Sequence, residues 1–373
     1  MKNLKSTGIL LAASVLFASG SAVARDQLQI VGSSTVFPFS AAVAEMFGKT
    51  TAFKTPVVES TGSGGGIKLF CSGTGENTPD IANASRRIKV REFENCSKNG
   101  VTPVEVKVGF DGIVLANSIN GTQMSLTLRQ IYLALAKNVP GPDGRLIANP
   151  NKFWSDIDAS FPEVKIEILG PPPTSGTRDA FEELAMAGGA NTFSALAMLR
   201  KLKKGDAKIS EIGAKLGLLE NQYMSNGATI KGKNIFSRIA HEIREDGVFI
   251  EAGENDNLIV QKLSNNPNAL GIFGFSFLDQ NSDKVQGAII DGVAPEFENI
   301  ADGEYKISRS LYFYVKKEHV GVMPGIEEFL TEFFKEGTWG DDGYLTEKGL
   351  IPLNQAEREA VRSNAKAMNS LAM

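Results

Sequence analysis

Three stretches of this chain repeat one local design, and that design limits the fold more than any other feature. Val31-Gly-Ser-Ser-Thr-Val-Phe-Pro38, Glu59-Ser-Thr-Gly-Ser-Gly-Gly-Gly66 and Pro171-Pro-Pro-Thr-Ser-Gly-Thr-Arg178 each carry a strand-like run into a helical stripe through glycine and hydroxyl residues. In the third, Val164, Ile166 and Ile168 alternate with charged residues, as a half-buried strand requires. Pro171 to Pro173 stop that run. Thr174, Ser175 and Thr177 are N-cap residue types, and Ala180, Phe181, Leu184 and Ala185 form the stripe of the next helix. A helix start leaves backbone N–H groups unpaired and carries partial positive charge. Ser175 and Thr177 add hydroxyl donors, Gly176 lets an anion reach the backbone, and Arg178 adds a full charge. That is chemistry for an oxyanion. One such loop describes an ordinary capped helix. Three of them describe one polar site fed by several helix starts.

The rest of the pattern agrees with an α/β fold. Strands are expected at 27–31, 56–59, 78–88, 102–117, 247–257, 269–275 and 305–315, with helical stripes between most of them. In open sheets of this kind ligands sit at the carboxyl ends of strands, where all three loops lie. Residues 140–150 read as a Gly/Pro/Asn-rich loop. The Lys and Arg residues between Thr192 and Gly217 read as a solvated helix face.

Residues 1–24 read as a secretory leader. Lys2 and Lys5 form a basic start, Gly8 to Gly20 is apolar, and Ala22-Val23-Ala24 fits a cleavage site, so Arg25 is expected to begin the mature chain. The apolar run is too short to span a membrane. The expectation is export to the periplasm. Loss of Lys2 and Lys5 takes the formal net charge from −4 to −6. An acidic chain of this kind argues against nucleic acid as a partner, while a small anion responds to local dipoles. Cys71 and Cys96 in an oxidising compartment favour one disulfide over two separate buried thiols. His241 and His319 stand alone, so no metal site is expected. With no cluster of His, Asp and Glu and no Ser/His arrangement, a secreted phosphatase is the weaker reading.

Gly32-Ser-Ser-Thr-Val-Phe-Pro38, Thr61-Gly-Ser-Gly-Gly-Gly66, Asp80-Ile-Ala-Asn-Ala-Ser-Arg86, Asp111-Gly-Ile-Val114, Ser175-Gly-Thr-Arg-Asp-Ala-Phe181 and Asn268-Ala-Leu-Gly-Ile-Phe-Gly274 span most of the mature chain. In this order they resemble periplasmic phosphate-binding proteins of ABC transporters, the PstS type. The resemblance implies a two-domain, type II periplasmic binding protein fold with mixed, mostly parallel sheets. The ligand would lie in the cleft between the domains. Domain I would comprise 25–112 and 300–373, and domain II 113–299, with a first crossing near Gly109 to Asn117 and a second between Phe275 and Tyr305. It also implies inorganic phosphate as ligand, permease subunits as partner, no cofactor, no chemistry and a monomer. By position, Ser34, Thr35, the Val36 N–H and Ser63 would hold the anion from one side, and Ser175, Gly176 and Thr177 from the other.

Two departures bear on selectivity. The family pattern has an Asp after Ser85, where this chain has Arg86. Some members also carry an Arg where this chain has Pro171. Arg86 or Arg178 would then supply the guanidinium for phosphate. Phosphate keeps a proton at neutral pH and sulfate does not, so a buried carboxylate accepts from the first and repels the second. Asp111 is the candidate for that carboxylate, with Glu59, Asp179 and Glu254 behind it and Asn255 as an added donor. Without such a carboxylate the site would be a general receptor for tetrahedral oxyanions, sulfate included.

Overall fold

The computed structural model describes residues 25–253 and 256–373, so the leader 1–24 and the candidates Glu254 and Asn255 lie outside the described residues. All three loops join a strand to a helix as their composition predicts. β1 (Gln29–Gly32) feeds α1 (Phe37–Thr50), and β2 (Val57–Ser60) feeds α2 (Ser63–Phe70). Next come β3 (Ile81–Ala84), α3 (Val90–Lys98) and the long strand β4 (Pro103–Ser118). The second half holds α4 (Leu128–Leu135), β5 (Ile168–Gly170), α5 (Gly176–Phe181) and α6 (Gly232–Ala240). It continues with β6 (Phe249–Glu251), β7 (Leu270–Gly274) and β8 (Val285–Gly287), and the chain returns as β9 (Ser308–Lys316).

Among the described residues these nine strands form one sheet in the order β6-β5-β7-β4-β9-β3-β1-β2, with β8 also paired to β4. Its two wings are parallel: β2, β1 and β3 on one side, β6, β5 and β7 on the other. Parallel neighbours need crossover connections, which the helices provide. The centre is antiparallel. Residues 103–112 of β4 pair with β9, while 113–118 pair with β7 and β8. One strand thus belongs to both wings. Its buried run Ile113, Val114, Leu115 and Ala116 leaves no room for solvent on either face, which is why the sequence reads as continuously apolar there.

Close packing sets the first wing. A Cβ at Gly66 would overlap the Gly32 backbone, so α2 lies directly on the end of β1. A disulfide joins Cys71, at the end of α2, to Cys96 in α3. It closes a small core of Ile67, Phe70, Ala82, Ile88 and Val101.

Two expectations change. Residues 140–150 hold a β-hairpin, with Asn138–Pro140 against Leu146–Ala148. The strand expected from Val164 enters the sheet only at Ile168. Val164 and Ile166 are instead paired with Trp154 and Lys152 through backbone hydrogen bonds of 2.9 Å. Among the described residues no helix is long and apolar enough to cross a membrane.

Cross-linking across a separation of 25 residues restricts the unfolded chain. Removing both thiols by Cys71→Ala with Cys96→Ala is expected to lower stability by about 3 kcal/mol. Urea unfolding of the oxidised protein and of this variant measures it. An unchanged midpoint would show that the cross-link carries no stability.

Candidate functional site

The carboxyl end of β1 and the loop before α5 meet across a small cavity. It has a volume of 130 Å³ and is lined by Thr35 from the α1 start, Asp111 and Ile113 from β4, Gly176 and Thr177 from α5, and Lys348 from the C-terminal segment. That is far below the volume of ordinary small-molecule pockets, so it suits an ion of a few atoms. A larger hollow of 620 Å³ lies elsewhere, between Leu146, Leu216 and Ile235, away from all three loops.

Each wall has a local cause. Ser33 donates its backbone N–H to the Asn83 carbonyl (3.0 Å) and accepts from Phe37 N–H (3.0 Å), which turns the chain into α1. Gly32 sits at φ 135°, a conformation closed to most side chains, with β3 pressed against it. On the opposite wall Ser175 caps α5, its hydroxyl accepting from Thr177 N–H at 3.2 Å. Two helix starts therefore face one cavity.

The floor is an ion pair that the strand register creates. Asp111 on β4 lies directly opposite Arg309 on β9. The Arg309 Nε donates to Asp111 Oδ2 at 3.3 Å, Nη2 to Thr35 Oγ1 at 2.5 Å, and Nη1 to Glu183 Oε2 at 2.6 Å. A register shift lies between Leu311 and Tyr312, and Val108 of β4 has no strand partner there. The Val108 carbonyl instead takes the indole N–H of Trp339. Such bulges redirect side chains at the edge of a site. Burial pushes the Asp111 carboxyl above the usual carboxylate range. Arg309 offsets part of that rise and Glu183 adds to it. Burial likewise raises Asp179 and lowers His241.

The residues expected from sequence separate into groups. Thr35, Asp111, Gly176 and Thr177 line the cavity. Val36 is the N-cap position of α1, and Ser34 faces a neighbouring hollow. Ser63 and Ser85 hold each other, with hydroxyls 3.2 Å apart and Ser85 N–H donating to Ser63 Oγ at 3.1 Å. Arg86 makes a fork with Glu92 at 2.9 and 2.8 Å. Arg178 is buried, donates to Glu182 at 2.6 Å and stacks on Phe249. Arg309, Glu183 and Lys348 carry no local signal. Arg309 lies near the start of an apolar strand, and only its pairing with β4 sets it against Asp111 and Thr35, which line the cavity. Among the described residues no group of His, Cys, Asp and Glu is placed to hold a metal ion.

Protein SphX of Synechococcus elongatus is 29% identical over 329 residues, covering 86% of this chain and 76% of the relative. Phosphate-binding protein PstS of Staphylococcus saprophyticus is 26% identical over 308 residues, covering 80% and 73%. Among solved structures, a "possible phosphate binding protein" from Planctomyces limnophilus superposes with a TM-score of 0.65 at 24% identity, over 92% of this chain and 98% of that one. An ABC-type phosphate transport receptor from Vibrio cholerae gives a TM-score of 0.51 at 18% identity, over 88% and 100%. These likenesses give the fold. A model of the PBP superfamily domain matches residues 18–336, and the chain belongs to that family of substrate-binding proteins, which are not enzymes.

Proposed function

We propose that this protein captures inorganic phosphate in the Thr35–Asp111–Thr177 cavity and hands it to the membrane permease of an ABC transporter. The protein acts after export to the periplasm and removal of residues 1–24, as a monomer. The observation that carries the reading is the pairing of two hydroxyl-bearing helix starts with a carboxylate–guanidinium floor around 130 Å³. Relatives named as phosphate-binding proteins support it. Residues 25–112 with 300–373 form one lobe and 113–299 the other, with the long strand β4 and the return into β9 as hinges.

In this reading each group has one task. Thr35 accepts from Arg309 and keeps its own hydroxyl proton for the anion. Gly176 and Thr177 offer N–H and hydroxyl donors from α5, with Ser175 holding the turn. The α1 start adds the Val36 N–H, while Ser34 faces the neighbouring hollow and Ser63 and Ser85 bond each other. Arg309 supplies the guanidinium, since it bonds Asp111 and Thr35 of the cavity wall, whereas Arg86 and Arg178 bond Glu92 and Glu182, which do not line it. Asp111 accepts a hydrogen bond from the O–H that phosphate retains, and sulfate has none to give. An acceptor-only carboxylate against sulfate is a like-charge contact worth several kcal/mol.

Calorimetry on residues 25–373, stripped of endogenous ligand, is expected to give 1:1 phosphate binding, with sulfate roughly hundredfold weaker or worse. Asp111→Asn should narrow that gap, because an amide can donate to sulfate. Equal affinities for the two anions in the unmodified protein would end the phosphate-specific reading. Arg309→Met should weaken phosphate by roughly tenfold to hundredfold, the range of a hydrogen bond to a charged group. Arg86→Ala should stay within about twofold, as expected for a screened surface pair. The reverse ranking would put the site guanidinium on Arg86.

A further inference from the structure

Three of the five N–H groups of Arg309 are engaged before any ligand arrives. Its Nε faces Asp111, its Nη2 faces Thr35 and its Nη1 faces Glu183. An oxyanion that takes an N–H now held by Asp111, Thr35 or Glu183 must displace that partner. The two carboxylates are not equivalent. The Asp111 side chain is 14% exposed, and that of Glu183 is 62% exposed. Stripping Arg309 from Asp111 would strand a buried charge, which is expensive. Releasing Glu183 returns a carboxylate to water at little cost.

Glu183 also has somewhere to go. A hollow of 270 Å³ beside it is lined by Ser34, Asp179, Arg200, Lys233 and His241. Glu183 itself lines this hollow, where the positive charge of Arg200 and Lys233 offsets that of Asp179 and Glu182. The backbone aims it as well. Residues Glu182–Met186 form a π-helical turn after α5, and such turns gather at functional sites. Across this turn Glu182 holds Arg178 on its own helix, while the next residue reaches Arg309 on the returning strand.

We propose that Glu183 is a built-in competitor of the anion: its carboxylate holds Arg309 Nη1 until a ligand oxygen displaces it, and this exchange sets the affinity of the site. The proposal rests on the phosphate reading above. It gives the site a means of limiting how tightly it holds its ligand. Full occupancy of Arg309 by the anion requires breaking a contact of 2.6 Å. The same contact reforms when the ligand leaves.

The test is phosphate titration with dissociation rates for the unmodified protein, Glu183→Gln, Arg309→Met and the double variant. Glu183→Gln is expected to tighten phosphate about two- to fivefold, the range of an exposed ion pair, mostly through slower dissociation. In the Arg309→Met background the same change should alter affinity by less than about 1.5-fold, because the contested group is gone. Unchanged or weaker binding in Glu183→Gln would overturn the proposal. So would an equal gain in both backgrounds, which would mean a long-range charge effect. If the unmodified protein binds no phosphate, the phosphate reading itself fails and this proposal falls with it. Phosphate binding without the Glu183→Gln gain removes this proposal alone.

Discussion

Asp111 and Arg309 face each other across β4 and β9, and much of the molecule is arranged so that they can. Neither group would be stable alone at that depth. Burial raises the Asp111 carboxyl, and the neighbouring guanidinium offsets part of that rise. The two strands that carry the pair are the same two that lie at the centre of the sheet. On one side β9 connects to the wing that holds α1, and on the other β4 connects to the wing that holds α5. Any change in the angle between the wings therefore bends the backbone next to the ion pair. In the proposed two-lobe arrangement, site and hinge occupy the same few residues.

An acidic chain can still build an anion site because the relevant field is local. The starts of α1 and α5 bring backbone dipoles and hydroxyls to one cavity from positions about 140 residues apart, and dipolar fields act within a turn or so of the helix end. The charges that dominate composition lie mostly on exposed faces, where water and salt screen them. Lys348 adds a cation at the cavity wall. Selectivity has a different source in the proposed site: a carboxylate at the floor would accept a hydrogen bond from a protonated anion and repel one without a proton, so that protonation state would count as well as shape.

The parts legible in sequence are those whose cause is local. Glycine and hydroxyl residues after an apolar run specify a strand, a tight turn and a helix start within about ten residues, and all three loops fold that way, although only Ser175 caps its helix with a side chain. Asp111 was legible because it sits inside an apolar strand, where a lone carboxylate needs a reason. Arg86 and Arg178 also looked like ligand groups. Their partners, Glu92 and Glu182, stand six and four residues away, close enough to have been read as local pairs. Arg309 offered no such reading, because Asp111, Glu183 and Thr35 lie 198, 126 and 274 residues from it in sequence.

By itself, then, the amino-acid sequence determined the α/β class, the strand–loop–helix units and the hydroxyl chemistry of the site, since these follow from contacts within a few residues. It also put Cys71 and Cys96 within reach of one short segment. The tertiary structure alone decided that Arg309 bonds Asp111 and Thr35 and that Glu183 holds its Nη1. Those assignments depend on the register of an antiparallel pair and on one unpaired residue, Val108, that turns it. Register between distant strands is set by the packing of the whole sheet, and no short-range pattern encodes it.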